Sequence, residues 1–209
     1  MDYNGVRKKN LDYFSKLLEE FKDEHYAVAQ SKVSHLKRFE KIMELGDFNN
    51  KSLLDVGCGI GGFYEFLKEK GIECDFTGID INPKMIDAAK QRYPGIKDKF
   101  FVFDILEQNM TETFDYVISV GPLNLKFESH QNMDFTIGLM KAMHQIARIG
   151  SAISMTSSLT RKPNEKTFYY DPAALLAETV KFCPNVRIDH TYLPHDFTIF
   201  CYKKDLYSF

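Results

Sequence analysis

Apolar residues recur at helical spacing in the first fifty positions of the chain and form short strand-like runs after them. Spacings of three and four residues are typical of an amphipathic helix that buries one face. The first such stripe comprises Leu11, Phe14, Leu17, Leu18 and Phe21. The second comprises Val33, Leu36, Phe39 and Met43. Because both helices precede the first predicted strand, we expect them to pack against a sheet edge or to cover a ligand site.

From residue 51 onward, strand-like runs alternate with helical stripes. Strands are predicted at Leu53–Val56, Asp75–Ile81, Phe100–Asp104, Asp115–Val120 and Ala152–Thr156. The helices between them cover Gly61–Lys70, a segment opened by Asn82 and Pro83, Met133–Ile149 and Pro172–Phe182. This alternation predicts an α/β fold with a doubly wound, mostly parallel sheet that is covered by helices on both faces.

The end of the chain breaks this alternation. Two strand-like runs, Val186–Tyr192 and Phe197–Tyr202, are separated by about four residues. A parallel crossover needs about a dozen residues or more, so these runs predict a hairpin with one antiparallel strand. No repeat or linker composition interrupts the chain, and we expect a single domain over residues 1–209. Residues 1–50 would form N-terminal helices on or over the site, and residues 51–209 the α/β core.

The composition is ordinary for a globular protein, with 44% hydrophobic and 27% charged residues among 209. A net charge of −2 provides no strong electrostatic signal for nucleic acid. The four cysteines form no CxxC pair, so we expect neither a disulfide framework nor a metal site. The N-terminus lacks the apolar core of a signal peptide, and no apolar run approaches the ~18 residues of a membrane span. We therefore expect a cytoplasmic protein without a membrane partner.

The sequence Leu-Leu-Asp-Val-Gly-Cys-Gly-Ile-Gly-Gly-Phe at 53–63 predicts a strand, a glycine turn and a helix. Such a turn at the carboxyl end of a parallel strand is where open α/β sheets bind ligands. Taken literally, Gly57-x-Gly59-x-x-Gly62 matches the dinucleotide fingerprint, with an acid about twenty residues later at Asp80. Asp55 argues against that interpretation, because a carboxylate at the turn would repel a pyrophosphate and favour a cationic ligand.

Together with three further motifs, this stretch resembles the class I S-adenosylmethionine-dependent methyltransferases. The motifs are Leu-Asp-Val-Gly-Cys-Gly-Ile-Gly at 54–61, Gly-Ile-Asp-Ile-Asn-Pro-Lys-Met at 78–85, Phe-Asp-Ile at 103–105 and Phe-Asp-Tyr-Val-Ile-Ser at 114–119. They follow the family's order, although Ile60 stands where many members have threonine. The resemblance implies S-adenosyl-L-methionine as the cofactor. It also implies a Rossmann-like seven-stranded sheet of order 3-2-1-4-5-7-6 with strand 7 antiparallel.

The resemblance implies roles for the residues of the glycine turn. Asp55 would hold the ammonium group of the cofactor, directly or through water. Gly57, Gly59 and Gly61 would let the backbone pass close to its methionine part. Cys58 lies inside the turn among these cofactor-binding residues. We interpret it as a small packing residue, because no base or cation beside it would lower the pKa of its thiol.

Residues at the ends of the following strands would bind the nucleoside of the cofactor. Asp80 would accept hydrogen bonds from both ribose hydroxyls, since a carboxylate offers two acceptor oxygens. Ile81 would pack on the adenine face. Asp104 would accept a hydrogen bond from the exocyclic amine, with the amide of Ile105 near a ring nitrogen. Ser119 begins the segment that we expect beside the transferred methyl group.

The basic residues of the second helix leave two interpretations open. They are Lys32, Lys37, Arg38 and Lys41. Charged side chains usually lie outside, so the group could form a solvated face. Alternatively, Arg38 could be a cofactor-binding residue that reaches a carboxylate of the ligand.

Three residues on loops at the same edge of the sheet are candidates for catalysis or substrate binding. His195 could act as a general base, since imidazole titrates near neutral pH. Tyr169 and Tyr170 could line a substrate pocket. The structural alternatives are a hairpin-turn histidine and two tyrosines that pack the start of a helix capped by Asp171.

These observations predict an enzyme, a methyltransferase that acts on an oxygen or nitrogen of a small molecule. The segment after the fourth strand lacks the Asn/Asp-Pro-Pro-aromatic motif of amino-group nucleic-acid methyltransferases and the Pro-Cys pair of cytosine-C5 enzymes. A protein or RNA methyltransferase remains an alternative. An NAD-dependent oxidoreductase and a non-catalytic cofactor-binding module are alternatives of other classes. We expect a monomer or a small homo-oligomer.

Overall fold

The computed structural model describes residues 4–21, 32–121, 124–126 and 131–204, which form one seven-stranded sheet with helices on both faces. Short 3-10 segments follow two of the helices, at Met43–Leu45 and Pro94–Lys99. The helices are α1 (Asn4–Phe21), α2 (Lys32–Ile42), α3 (Gly62–Glu69), α4 (Pro83–Arg92), α5 (Gln131–Ile146) and α6 (Pro172–Thr179). The strands are β1 (Ser52–Val56), β2 (Asp75–Asp80), β3 (Phe100–Val102), β4 (Phe114–Val120), β5 (Ala147–Thr156), β6 (Val186–Asp189) and β7 (Asp196–Tyr202).

The strand order is β3-β2-β1-β4-β5-β7-β6, and β7 is antiparallel to both of its neighbours. The predicted fold class, strand order and C-terminal hairpin are therefore confirmed. The boundary between α5 and β5 was predicted wrongly, because the helix ends at Ile146 and the strand begins at Ala147. Apolar residues continue across this junction and fit either period, so the sequence pattern alone did not locate it.

Two apolar clusters lie on opposite faces of the sheet, because successive side chains along a strand point to opposite faces. Leu54 and Val117 belong to the cluster under α5 and α6, whereas Leu53 and Ile118 belong to the cluster under α2, α3 and α4. Strands β1, β2, β4, β5 and β7 each contribute to both clusters, which explains why these strands appear as largely apolar runs in the sequence. The parallel strands all end at one edge, and the ligand site lies there.

The N-terminal helices lie at this edge of the sheet. In α2 the buried residues are Arg38, Phe39 and Ile42, whereas Val33 is 68% exposed. The predicted apolar stripe of this helix is wrong at its first turn, because Val33 is largely exposed and the buried residues begin at Arg38. No helix in the described ranges combines the length and apolar character needed to cross a membrane.

Candidate active site

The turn after β1 has the backbone conformation that its glycines predict. Gly57, Gly59 and Gly61 have φ angles of 74°, 55° and 82°. This left-handed region costs other residues about 1–2 kcal/mol, whereas glycine enters it freely. The amides of Gly57 and Cys58 donate to the Ile79 carbonyl at 2.8 and 3.0 Å. The turn is thereby fastened to β2, and its remaining groups face the space above the sheet.

Gly61 is required by packing on the side of the turn that faces the protein interior. It precedes α3, and a Cβ at this position would lie 2.7 Å from Cε2 of Tyr93 and 3.1 Å from Cζ of Phe100. Gly61 does not line the cavity described below. Its assignment as a cofactor-binding residue therefore has no support from its position, and its packing explains why glycine stands there.

A cavity of about 760 Å³ lies at the carboxyl ends of the parallel strands. Its size falls within the range of small-molecule sites. The sequence-predicted residues on its wall are Asp55, Gly57, Cys58, Gly59, Asp80, Ile81, Asp104 and Ile105. The structure thus brings together residues that are up to fifty positions apart in the chain.

Asp80 is held in a fixed orientation between two elements. Its Oδ2 accepts a hydrogen bond from the Gly59 amide at 3.0 Å, and its Oδ1 accepts one from the Asn82 amide at 2.8 Å. Burial raises the pKa of the Asp80 carboxyl, and these two amides partly oppose that shift. Each carboxylate oxygen has a further lone pair, so the group can accept hydrogen bonds from a ligand with two donors.

Asp55 is a buried carboxyl group that is only 3% exposed. No hydrogen bond or ion pair joins its side chain to another residue in the described part of the chain. Burial, reinforced by the charge of Asp80, raises the pKa of Asp55 to about 8. An ionised carboxylate here is costly without a compensating cation. The arrangement favours a positively charged ligand at the turn.

Cys58 shares this environment, because its thiol is buried and is affected by the charges of both carboxyl groups. Burial and then the charges of Asp55 and Asp80 raise the pKa of the thiol well above its ordinary range. Such a thiol stays protonated and is a poor nucleophile. Its position agrees with the interpretation of Cys58 as a packing residue.

Asp104 already has partners in the structure. Its Oδ2 forms an ion pair with Nε of Arg7 from α1, and its Oδ1 accepts from the Leu106 amide at 2.9 Å. Arg7 also contacts Glu107, with 2.8 Å between Nη1 and Oε1. A ligand amine that donates to Asp104 must therefore share an oxygen with Arg7 or displace it.

Helix α1 is fastened across the mouth of the cavity by polar contacts. Asn82 Nδ2 donates to Ser15 Oγ at 3.0 Å, and Lys84 Nζ lies 2.6 Å from Glu19 Oε1. The helix also places Leu11 and Phe14 on the cavity wall. The expectation that the N-terminal helices cover the ligand site stays a prediction.

The structure contradicts the predicted roles of Arg38. Its side chain is 5% exposed, and it pairs with a fully buried Asp196 through Nε–Oδ2 and Nη2–Oδ1 distances of 2.9 and 3.0 Å. It does not line the cavity. Both interpretations of Arg38 are wrong, since it is neither solvated nor aimed at a ligand in this cavity. No sequence pattern linked it to a residue 158 positions away.

The structure also contradicts the predicted role of Tyr170 in a substrate pocket. Its side chain is fully buried, and its hydroxyl lies 2.8 Å from Thr136 Oγ1. It packs edge-on against Phe168 as part of the core, so it does not line a substrate pocket. Tyr170 is held in the core because its backbone amide donates a hydrogen bond to the Thr156 carbonyl, at the end of β5, at 2.9 Å.

None of the remaining candidates lines the cavity. Ser119 is buried and donates to the Val56 carbonyl at 2.6 Å, which braces β4 against β1 below the turn.

The Tyr169 hydroxyl accepts a hydrogen bond from the Asn164 amide at 2.8 Å. His195 is 38% exposed and its Nε2 lies 3.7 Å from Asp196 Oδ2. The roles given to Ser119, Tyr169 and His195 stay predictions. Pro122 and Leu123, in the segment that begins at Ser119, lie outside the described residues.

His35 was missed by the sequence analysis. It lines the cavity from α2, packs on Phe39 with 4.2 Å between ring centroids, and reaches the start of α3. Its Cε1 lies 3.4 Å from the position that a Cβ would take at Gly62. Only its spacing of four residues from Phe39 hinted that the two side chains share a helix face.

Comparisons with known proteins agree with this arrangement. A family model described as a methyltransferase domain matches residues 53–148. A candidate methyltransferase of Mycobacterium tuberculosis is 28% identical over 160 residues, which cover 73% of this chain and 93% of that protein. A malonyl-[acyl-carrier protein] O-methyltransferase of Acetivibrio thermocellus is 33% identical over 97 residues. That match covers 45% of this chain and 32% of the relative, so the chain spans about a third of its length.

A solved structure shares the fold at low sequence identity. The magnesium protoporphyrin IX methyltransferase of Synechocystis, crystallised with bound S-adenosylhomocysteine, superposes with a TM-score of 0.70 at 14% identity. The alignment covers 95% of this chain and 99% of that protein. The likeness therefore extends over the N-terminal helices as well as the sheet.

Proposed function

We propose that this protein, which belongs to the class I S-adenosylmethionine-dependent methyltransferases, transfers a methyl group to an oxygen or nitrogen nucleophile of a small molecule. Family membership rests on the matched methyltransferase domain, the relatives and the strand order. The predicted family and the predicted methyl donor are thereby confirmed. The acceptor and the residue roles below are proposals.

The single observation that carries the proposal is the buried Asp55 carboxyl group without a partner in the described chain. S-adenosylmethionine is positive at its amino group and its sulfonium, and the sulfonium supplies a methyl carbon activated for in-line displacement. The negative charge of ionised Asp55 and the positive charge of the bound S-adenosylmethionine then compensate each other. The turn at Gly57 and Gly59 leaves no side chain between this carboxylate and the ligand.

Asp80 binds the ribose in this proposal. Its two oxygens are pre-oriented by the amides of Gly59 and Asn82, so little ordering is needed when a diol binds. Ile81 and Ile105 on the wall provide apolar contacts for the adenine. Asp104 accepts from the adenine amine only together with, or in place of, Arg7.

His35 and Lys32 take the role that was expected of Arg38. Both line the cavity from α2, and His35 lies over the start of α3. A helix N-terminus presents free amides and a positive dipole end, so a carboxylate is stable there. We assign the carboxylate of the donor's methionine part to this place, with Lys32 and His35 as its charged or hydrogen-bonding neighbours.

The enclosure of the cavity supports a small acceptor. Leu11 and Phe14 from α1 and Leu36 from α2 cover its mouth, and Phe135 and Leu139 from α5 form an apolar wall. We expect these helices to hinder the approach of a folded protein or an RNA to the sheet edge. A small acceptor with apolar surface fits the wall as it is. Alignment of donor and acceptor can contribute several kcal/mol to catalysis, with His195 as the predicted base where a proton must be removed.

A calorimetric titration tests donor binding. We expect S-adenosylmethionine and S-adenosylhomocysteine to bind at one site per chain, and NAD to give no heat of binding. Tight binding of NAD without a response to the other two ligands would replace the proposal by the oxidoreductase alternative.

A labelling experiment tests the acceptor class. The protein is incubated with methyl-labelled S-adenosylmethionine and either a small-molecule extract or a mixture of protein and RNA. We expect label in the small-molecule fraction, and none with Asp80→Ala as the control. Label that appears only in the macromolecular fraction contradicts the small-molecule assignment but not the family. A protein that binds the donor and labels neither fraction would favour the non-catalytic module.

A further inference from the structure

Three side chains with metal-binding chemistry meet in the core, far from the cavity. They are His144 in the last turn of α5, Cys183 just after α6 and Cys201 in β7. The two sulfur atoms and one imidazole nitrogen all lie within 4.8 Å of one another. All three residues are buried.

This cluster lies at the end of the sheet opposite to the cavity. Cys201 is paired with Ser151 in the first half of β5 and with Val186 at the start of β6. The other end of β5, at Thr156, is paired with Asp196 and lies at the carboxyl edge. The cluster and the candidate active site are therefore separated by the length of the strands.

We propose that His144, Cys183 and Cys201 form a binding site for one Zn²⁺ ion. Two cysteine sulfurs and one imidazole nitrogen are a known type of zinc ligand set, and Zn–S and Zn–N bonds of about 2.3 and 2.0 Å place such donors about 3.5–3.8 Å apart. The three donor atoms are at most 4.8 Å apart. Side-chain movements of about an ångström would bring them to this geometry. Spacing along the chain predicted no metal, because the three ligands come from three separate elements.

The imidazole of His144 carries an observation that points to a ligand. Its Nδ1 is buried and has no hydrogen-bond partner among the described residues. A buried polar atom without a partner costs free energy, so native proteins satisfy nearly all of them. A metal ion bound through Nδ1 would satisfy this nitrogen.

The two thiols lie in contact with each other and with the surrounding backbone. The Cys183 sulfur also donates to the carbonyls of Asn185 at 3.5 Å and Tyr202 at 3.7 Å. When Zn²⁺ replaces the thiol protons, one of these carbonyl oxygens, or a water molecule, can complete a tetrahedral site.

Charge balance also favours a divalent ion. Two thiolates and a neutral imidazole compensate the two charges of Zn²⁺, so the buried site becomes neutral. A disulfide between Cys183 and Cys201 would leave Nδ1 of His144 without a partner. The metal ion uses all three donors, and for this reason we prefer it.

The test uses the full-length, reduced protein with Zn²⁺ and with Co²⁺ as a spectroscopic probe. We expect one Zn²⁺ per chain in competition with a chromophoric chelator. Saturation with Co²⁺ should produce a thiolate-to-cobalt charge-transfer band with the intensity of two thiolates. The second measurement needs no variant, so it remains decisive even where a substituted protein folds poorly. A saturated protein without this band would overturn the proposal.

Variants assign the ligands. Cys183→Ala and Cys201→Ala should each weaken Zn²⁺ binding on the order of 100-fold or more, because each removes a thiolate ligand. Cys74→Ala is the matched control, since this partly buried cysteine lies outside the cluster. S-adenosylhomocysteine binding checks that each variant is folded, and it depends on a site at the other end of the sheet.

Three further results would overturn the zinc site. The first is Zn²⁺ binding that survives both cysteine substitutions. The second is binding that is lost in Cys74→Ala to the same extent. The third is a thiol titration of the unreduced, denatured protein that finds Cys183 and Cys201 joined as a disulfide. None of these results bears on the methyltransferase proposal.

Discussion

Two buried aspartates at the same edge of the sheet have opposite surroundings. Asp196, at the start of β7, is fully buried and paired with Arg38 through two hydrogen bonds. Asp55, at the end of β1, is nearly as buried and has no partner in the described chain. Burial raises the pKa of Asp55 to about 8, with no cation to oppose that effect.

The difference separates a structural carboxylate from one that is available to a ligand. Asp196 and Arg38 connect α2 to the C-terminal hairpin, and each compensates the charge of the other. Asp55 lines the cavity and stays uncompensated until a cation enters. A buried charge whose partner belongs to the chain supports folding, whereas one without a partner marks a binding site.

Removal of Arg38 should have the largest effect. We expect Arg38→Gln to lower the free energy of unfolding by about 3–5 kcal/mol, because the Asp196 charge is left buried and unpaired. Chemical denaturation of the two proteins measures the difference. S-adenosylhomocysteine affinity should change little under conditions where the variant is folded, since Arg38 does not line the cavity.

Lys37→Gln provides the matched control for this prediction. Lys37 is the neighbour of Arg38 on α2, and its side chain is 52% exposed. Its exposed ion pair should be worth less than about 1 kcal/mol. Adding Asp196→Asn to Arg38→Gln should restore part of the loss. An Arg38→Gln protein as stable as Lys37→Gln would contradict the structural role of the pair.

Substitution of Asp55 should weaken ligand binding and spare stability, the reverse of what we expect for Arg38→Gln. Asp55→Asn removes a buried ionisable group without a partner, so we expect stability to be unchanged or higher. We expect the binding of S-adenosylmethionine to weaken by about 1.5–3 kcal/mol, the scale of hydrogen bonds to a charged group. Calorimetry and chemical denaturation report the two effects separately. Asp87→Asn, at an exposed position of α4, should change neither. Unchanged affinity in Asp55→Asn would remove Asp55 from the cofactor site.

The pH dependence of binding gives the smallest and sharpest test. The pKa of Asp55 is raised in the folded protein, so this group destabilises the fold increasingly as pH rises from about 4 to about 8. A cationic ligand requires the ionised form, and its binding releases the proton. Affinity for S-adenosylmethionine should therefore increase with pH up to about 8, by at most about tenfold per pH unit.

Asp55→Asn isolates this contribution from that of Asp80, whose pKa is also raised by burial. We expect the difference between the two proteins to be largest near pH 8 and to shrink at lower pH. Parallel profiles for the wild type and Asp55→Asn would show that another group controls the dependence.

The amino-acid sequence by itself determined the elements and motifs whose physical causes are local. Apolar periodicity located the parallel strands and the C-terminal hairpin, and the glycine run predicted a turn with positive φ angles. The position of Asp55 two residues before Gly57 distinguished a cationic ligand from a pyrophosphate. These features depend on neighbouring residues, so they are visible along the chain.

Only the tertiary structure decided which distant side chains share a buried space. It paired Arg38 with Asp196, placed His35 on the cavity wall, buried Tyr170, and joined His144 to two cysteines. A side chain's burial and partners depend on how helices and strands pack, and no spacing in the sequence records that packing. From the sequence alone, a single arginine, histidine or tyrosine could therefore be a ligand-binding residue, a core residue or an ion-pair partner. Only the fold distinguishes these roles.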